Sequence, residues 1–199
     1  AVAIDDEHAR PEALDEAGMA DVTRAFVQAA RRADRLGFDL VEIHGAHGYL
    51  LHTFLSPISN RRDDAYGGSR ENRMRFPLEV FAAVREAWPD DKALGIRISA
   101  SDHVEGGWTL DDSVAYAGEL KAMGCDYVDV SSAGVAPHRQ RVTVGPGYQV
   151  PFAARIRADA QIPTMAVGMI TRPGQAEAII AEGKADLVAM ARGVLYDPR

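Results

Sequence analysis

Hydrophobic residues recur along the chain with two alternating periods. Residues 14–36 place apolar side chains at helical spacing and are followed by Gly37, so they predict an amphipathic helix. Residues 38–44 predict a short strand. This pair repeats four times, with helices predicted at 70–88, 110–123, 150–159 and 173–182 and strands at 93–99, 127–131, 163–168 and 185–190. Such alternation predicts an α/β fold in which helices cover a parallel sheet. Pro77 is expected to split the second helix in its first turn.

The polarity of the strands distinguishes two kinds of parallel sheet. In an open, doubly wound sheet both faces meet helices, so its strands are apolar throughout. Here Ile96 and Ile98 share one face of their strand, whereas Arg97 and Ser99 share the other. An aliphatic outer face and a polar inner face are typical of a barrel whose lumen leads to a site. No Gly-x-Gly-x-x-Gly sequence opens a strand-to-helix turn, which weakens the open, dinucleotide-binding alternative. We therefore predict a TIM (β/α)8-type barrel.

The length of the chain does not fit a complete barrel. Eight strand–helix units take about 250 residues, whereas this chain has 199 residues and five predicted strands. We interpret residues 1–199 as a single domain that holds the last five strand–helix units of the barrel, without the first three strands. A sheet cut in this way has two open edges, which predicts either a homo-oligomer or association with the missing barrel portion.

Composition narrows the class of protein. The formal net charge of -7 argues against a nucleic-acid partner, which requires a basic surface. The single cysteine, Cys125, excludes an intramolecular disulfide framework and a multi-cysteine zinc site. The apolar runs are shorter than the roughly 20 residues of a membrane span, and residues 1–7 do not resemble a secretory signal. We expect a cytoplasmic protein without a membrane partner.

The first candidate site follows the first strand. His44, His47 and Tyr49 lie within six residues at the carboxyl end of that strand, where barrel active sites are built. Two imidazoles can donate hydrogen bonds to a carbonyl oxygen, and a phenol can deliver a proton. A zinc site and a pair of ordinary loop histidines are the alternatives, although the sequence identifies no clear third metal ligand.

Two other parts of the predicted sheet contain a charged residue or small residues that let a ligand approach the backbone. Arg97 lies between isoleucines in the second strand, so it either forms an interior ion pair with Glu42 or Asp129 or faces electron-rich atoms of a ligand. Gly168 follows the fourth predicted strand, and Ala191 and Arg192 follow the fifth. Barrels often bind phosphate at their last two strands, so these three residues predict a phosphate site.

The order of these motifs resembles the Old Yellow Enzyme family of flavin-dependent ene-reductases. The resemblance lies in Gly37-Phe-Asp-Leu-Val-Glu-Ile-His-Gly-Ala-His-Gly-Tyr-Leu50, Phe54-Leu-Ser-Pro57, Asn60-Arg61, Tyr66-Gly-Gly-Ser-Arg-Glu-Asn-Arg73 and Arg75-Phe76. Three later segments, Gly147-Tyr-Gln-Val-Pro-Phe152, Ala166-Val-Gly168 and Ala185-Asp-Leu-Val188, are similar to the bacterial branch of xenobiotic and enone reductases. The match extends over nearly all of the chain from Leu14 onward.

The resemblance implies a TIM barrel that holds FMN at its carboxyl-terminal mouth and takes electrons from NAD(P)H. An α,β-unsaturated carbonyl compound would then accept a hydride at its β-carbon. By motif match, His44 and His47 would bind the activating oxygen and Tyr49 would protonate the α-carbon. Cofactor-binding residues would be Arg97, beside the flavin N1/O2 edge, and Gly168, Ala191 and Arg192 at the phosphate. No metal is implied.

The chain also departs from the family pattern. The first three strands of the family supply much of the flavin cradle, and the family continues into a C-terminal tail beyond residue 199. A catalytically silent barrel fragment is therefore one alternative. The barrel part of a dienoyl-CoA-type reductase is another, although that class carries an iron–sulfur module for which this chain has only one cysteine.

Overall fold

Helices and strands alternate through the described part of the chain. The structure is a computed structural model that describes residues 11–136 and 141–197, so residues 1–7, where no secretory signal is predicted, lie outside it. The elements are α1 (Glu16–Arg35), β1 (Leu40–Gly45), α2 (Leu50–Leu55), α3 (Arg70–Ala87), β2 (Ala93–Ser99), α4 (Leu110–Ala122), β3 (Tyr127–Ser131), α5 (Val150–Ala160), β4 (Thr164–Ala166), α6 (Pro173–Ala181), β5 (Leu187–Val188) and α7 (Arg192–Tyr196).

The five strands form one parallel sheet in the order β1-β2-β3-β4-β5. Its register aligns His44 with Arg97, Arg97 with Asp129, and Asp129 with Met165. Ser99 at the end of β2 lies beside Ser131 at the end of β3. Sequential parallel order with intervening helices is the arrangement that a (β/α)8-type barrel requires. Within the described residues, β1 and β5 are the two edges of the sheet.

The core lies between the outer face of the sheet and the helices. The outward side chains of the two central strands are at most 1% exposed; they are Leu94, Ile96, Ile98, Val128 and Val130. Helix α1 packs against α3, and α4 packs against α5. The predicted aliphatic outer face is therefore confirmed, and burial of these side chains is the main source of stability in this layer.

The helix ends follow local chemistry that the sequence contains. The carboxylate of Asp15 accepts a hydrogen bond from the Gly18 N–H at 2.8 Å and caps α1. Gly37 follows the other end of α1 with a φ of 81°, which a glycine adopts without strain. Thr109 and Asp112 form a reciprocal capping box at the start of α4.

Five details of the sequence prediction were wrong. Helix α3 is continuous through Pro77, because that side chain is buried and tertiary packing offsets the lost hydrogen bond. Strands β4 and β5 are shorter than the predicted ranges 163–168 and 185–190. Helices α2 and α7 were not predicted, because five or six residues are too few to show a helical period.

Candidate active site

The loop after β1 brings three candidate side chains together. His44 lies near the end of β1, His47 follows it, and Tyr49 is the residue before α2. The ring centroid of His44 is 5.3 Å from that of His47 and 5.2 Å from that of Tyr49. The Tyr49 side chain is 64% exposed. Two imidazoles and an accessible phenol therefore share the carboxyl end of the sheet.

The turn that carries these side chains is strained. His47 has a φ of 58°, which is unusual for a residue with a Cβ, and Gly48 has a φ of 76°. The His47 N–H donates to Ser99 Oγ at 2.9 Å, and the Gly48 N–H donates to His52 Nδ1 at 2.8 Å. The loop after β3 packs directly on this turn, since a Cβ on Gly134 would lie 2.4 Å from the His47 Cα. The surrounding structure thus holds the turn in a conformation it would not adopt alone.

A buried polar network lies behind the turn. His52 and Asp102 are both fully buried, and His52 Nε2 lies 2.9 Å from Asp102 Oδ1. Because His52 Nδ1 accepts a hydrogen bond from Gly48, its ring proton lies on Nε2 and points to the carboxylate. Asp102 also accepts from Ser56 Oγ at 2.6 Å and from the Trp108 N–H at 2.7 Å. Burial raises the pKa of Asp102, but these hydrogen bonds outweigh it and hold the pKa below the usual value.

The two candidate histidines are neutral at physiological pH. Burial and the positive charge of Arg97 lower the pKa of His47 to about 4. The same two causes lower the pKa of His44. His47 Nε2 lies 2.6 Å from the hydroxyl of Ser131. Each ring therefore offers one N–H donor and one acceptor, rather than a positive charge.

Arg97 stands on the inner face beside His44. Its Nε lies 3.4 Å from Asp129 Oδ2, so one of the two partners that the sequence suggested is present. Neither Arg97 Nε nor Asp129 Oδ1 has a hydrogen-bond partner among the described residues. Burial raises the pKa of Asp129 to about 7, although the nearby arginine opposes that effect. The arginine side chain remains 29% exposed, so its guanidinium is still accessible from the lumen side.

The three predicted phosphate residues lie at the ends of neighbouring strands. Gly168 follows β4, with a φ of 112°, and Ala191 and Arg192 follow β5 at the start of α7. A Cβ on Gly168 would lie 2.6 Å from Gln149 Nε2, so no larger residue fits there without a shift. Because all strands are parallel, these residues lie at the same edge of the sheet as His44.

Sequence reasoning missed the residues that support this site. Ser99, Ser131, His52, Asp102 and Gln149 are all buried and polar. The sequence pattern could have indicated Ser99 and Ser131, because each residue ends a strand on its polar face. His52 carried none, since it lies in a six-residue apolar helix and its partner Asp102 is 50 positions away.

Within residues 11–136 and 141–197, no three histidine, cysteine, aspartate or glutamate side chains come together in a way that could hold a metal ion. In those same ranges no helix combines the length and the apolar character that crossing a membrane requires.

Comparison with known proteins assigns the chain to a family. A sequence model of the NADH:flavin oxidoreductase / NADH oxidase family matches residues 3–199. The chain belongs to this family. Its relatives include an NADPH dehydrogenase from Geobacillus sp. (strain WCH70), which is 51% identical over 198 residues, and one from Bacillus subtilis (strain 168), which is 46% identical. The predicted membership of the Old Yellow Enzyme family is confirmed.

In both relatives the match covers 100% of this chain and 57% of the relative, so the chain spans little more than half their length. A structure of morphinone reductase in complex with tetrahydroNAD superposes with a TM-score of 0.74 at 33% identity, over 93% of this chain and 48% of that one. A 2-naphthoyl-CoA reductase superposes with a TM-score of 0.86 at 29% identity, over 94% of this chain and 29% of that one. The predicted barrel class of this family member is thus confirmed, whereas its position as the last five units stays a prediction.

Proposed function

We propose that the complete protein containing this chain is an FMN-dependent ene-reductase that uses NAD(P)H to reduce the activated C=C bond of α,β-unsaturated carbonyl compounds. The observation that carries this proposal is the cluster of His44, His47 and Tyr49. Two neutral donors and an accessible phenol are the groups that hydride addition to an enone requires, since negative charge develops on oxygen and a carbon must then be protonated.

The residues present suit FMN. Arg97 offers a guanidinium side chain that is 29% exposed, which suits the electron-rich N1/O2 edge of the flavin. Gly168, Ala191 and Arg192 offer backbone N–H groups and a cation at the ends of two neighbouring strands, which suit the phosphate. We therefore assign cofactor binding to these four residues. When bound, FMN would supply the hydride transfer that amino-acid side chains cannot perform.

The remaining catalytic roles belong to the chain itself. His44 and His47 bind the carbonyl oxygen through ring N–H groups, and these bonds strengthen as the oxygen becomes an enolate. Their lowered pKa values keep them neutral, so they polarise the oxygen without losing a proton to it. Tyr49 delivers the phenolic proton to the α-carbon. The strained His47–Gly48 turn holds donor and acid in one fixed arrangement.

A CoA-ester reductase is the second candidate, because a 2-naphthoyl-CoA reductase has the same fold over 94% of the chain. The 51% identity to an NADPH dehydrogenase favours the simpler enzyme. An absorbance spectrum and an iron analysis of the purified complete protein test the choice. We expect an oxidised-flavin spectrum, no iron, and enone-dependent oxidation of NAD(P)H. Absence of flavin from the complete protein would contradict the proposal, and stoichiometric iron would support the CoA-ester reductase.

His44→Ala and His47→Ala are each expected to weaken binding of para-substituted phenols, whose phenolate oxygen imitates the enolate. Loss of one hydrogen bond to a charged oxygen corresponds to an increase of about 10- to 100-fold in Kd. Titration of the flavin absorbance with the phenol measures this change. Unchanged phenol affinity together with release of a bound metal would instead support the zinc alternative.

We further propose that another part of the barrel, or a second copy, covers the sheet edges. Large apolar side chains near β1 and β5 are more than 40% exposed; they are Phe38, Leu40, Leu187, Leu195 and Tyr196. Unpaired edge strands with apolar side chains associate readily. A 199-residue polypeptide expressed alone should therefore form oligomers in light scattering, and co-expression with the rest of the barrel should suppress them. A stable monomer with a cooperative melt would contradict this proposal.

A further inference from the structure

Two serines hold the same histidine from neighbouring strands. Ser99 and Ser131 are register partners at the ends of β2 and β3. Ser99 Oγ accepts the backbone N–H of His47 at 2.9 Å, whereas Ser131 Oγ lies 2.6 Å from Nε2 of the His47 ring. Both hydroxyls are buried, at 1% and 4% exposure. Ser99 thus fixes where the histidine lies, and Ser131 contacts the nitrogen that determines its chemistry.

The direction of the Ser131 hydrogen bond can be worked out from its neighbours. The Ser131 hydroxyl has one proton. Either that proton goes to His47 Nε2 at 2.6 Å, or it goes to Gln149 Oε1 at 3.3 Å and Ser131 accepts a proton from His47 Nε2 instead. The Gln149 Oε1 already accepts from Ser132 Oγ at 2.7 Å, and its Nε2 donates to the Val167 carbonyl at 3.1 Å. A distance of 3.3 Å is long for an O–H···O bond, whereas 2.6 Å is within the usual range for a hydroxyl donor and below the usual range for an N–H donor. The two distances therefore favour the first arrangement, in which the Ser131 hydroxyl donates to His47.

We propose that Ser131 is a positioning residue that fixes the tautomer of His47, so that Nδ1 carries the proton and serves as the donor to the substrate oxygen. A neutral imidazole has one N–H, and an Nε2 that accepts from Ser131 leaves that proton on Nδ1. The low pKa of His47 keeps the ring neutral, so the tautomer decides what the ring can do. In the opposite tautomer Nδ1 would present a lone pair to the developing enolate and would repel it.

This inference rests on the proposed function only in the last step, in which His47 contacts a substrate. The tautomer itself is a property of the free protein. Nitrogen NMR of the complete, flavin-loaded protein, labelled with ¹⁵N at histidine, measures it directly, because protonated and unprotonated ring nitrogens have well-separated shifts. The His47 signals are identified by their loss in His47→Gln.

In the wild type we expect a protonated Nδ1 and an unprotonated Nε2. Ser131→Ala should shift the population toward protonated Nε2 and raise the Kd of a para-substituted phenol by about tenfold. Ser131→Thr, which keeps the hydroxyl, should restore both. Ser101→Ala is the matched control, since Ser101 lies in the loop after β2 and its Oγ contacts the His103 N–H rather than His47.

A protonated Nε2 in the wild type would overturn the proposal without any variant being needed. A Ser131→Ala protein with the wild-type tautomer and wild-type phenol affinity would also overturn it. If the tautomer shifts as expected but His47→Ala binds phenol normally, the tautomer assignment stands and the substrate role of His47 in the proposed function is wrong. If Ser131→Ala does not fold, the Ser131→Thr spectrum and the wild-type spectrum still decide the question.

Discussion

Tyr49→Phe is expected to slow alkene reduction by about 10²- to 10⁴-fold while leaving reduction of the enzyme by NAD(P)H nearly unchanged. The phenolic proton is needed only when the α-carbon is protonated, which belongs to the second half-reaction. Tyr49 is 64% exposed, so loss of its hydroxyl should not disturb packing. Stopped-flow measurement of the two half-reactions on the complete, flavin-loaded protein separates these effects.

Tyr66→Phe is the matched control for this substitution. Tyr66 is a half-buried tyrosine near Arg62, and it lies in the loop before α3 rather than in the loop after β1 that holds His47 and Tyr49. Loss of the Tyr66 hydroxyl should leave both half-reactions at the wild-type rate. Equal slowing of the two half-reactions in Tyr49→Phe would contradict its assignment as the proton donor, because a general structural defect affects both steps.

The sheet was predictable because its signals are local. Alternation within residues 93–99 and 127–131 directly marks an outer and an inner face, and β2 and β3 have those bounds. The shortness of β5 was not predictable, since only pairing with β4 determines how far an edge strand extends. Local period and helix caps thus identify which segments form strands, while tertiary pairing decides their length.

The candidate site was predictable only in part, for a related reason. His44, His47 and Tyr49 are close in sequence, so one turn brings them together. Ser131 reaches the His47 ring from 84 positions away, and its value depends on a register between strands that no local pattern encodes. The left-handed conformation of His47 was equally hidden, because it is imposed by contacts with Ser99 and the loop after β3.

Asp102→Asn should lower the free energy of unfolding by about 3–5 kcal/mol, the largest stability effect that we expect in this chain. The carboxylate accepts hydrogen bonds from His52, Ser56 and the Trp108 N–H in a fully buried site. Asparagine has nearly the same size, but its NH₂ group cannot accept the hydrogen bonds that these three residues donate. Denaturant unfolding of the complete protein measures the change, and the exposed Asp90→Asn should stay within about 0.5 kcal/mol of wild type.

The same substitution should flatten the acid limb of the stability profile. The pKa of Asp102 is lower in the folded protein than in the unfolded chain, where it is about 3.9. Its stabilising contribution is therefore complete above that pH and is lost as the pH falls toward the folded value. The difference in free energy of unfolding between wild type and Asp102→Asn should be constant from pH 8 to about pH 5 and should shrink below about pH 4. A gap that persists at low pH would mean that packing, rather than the charge of Asp102, anchors the His52 ring and the His47–Gly48 turn above it.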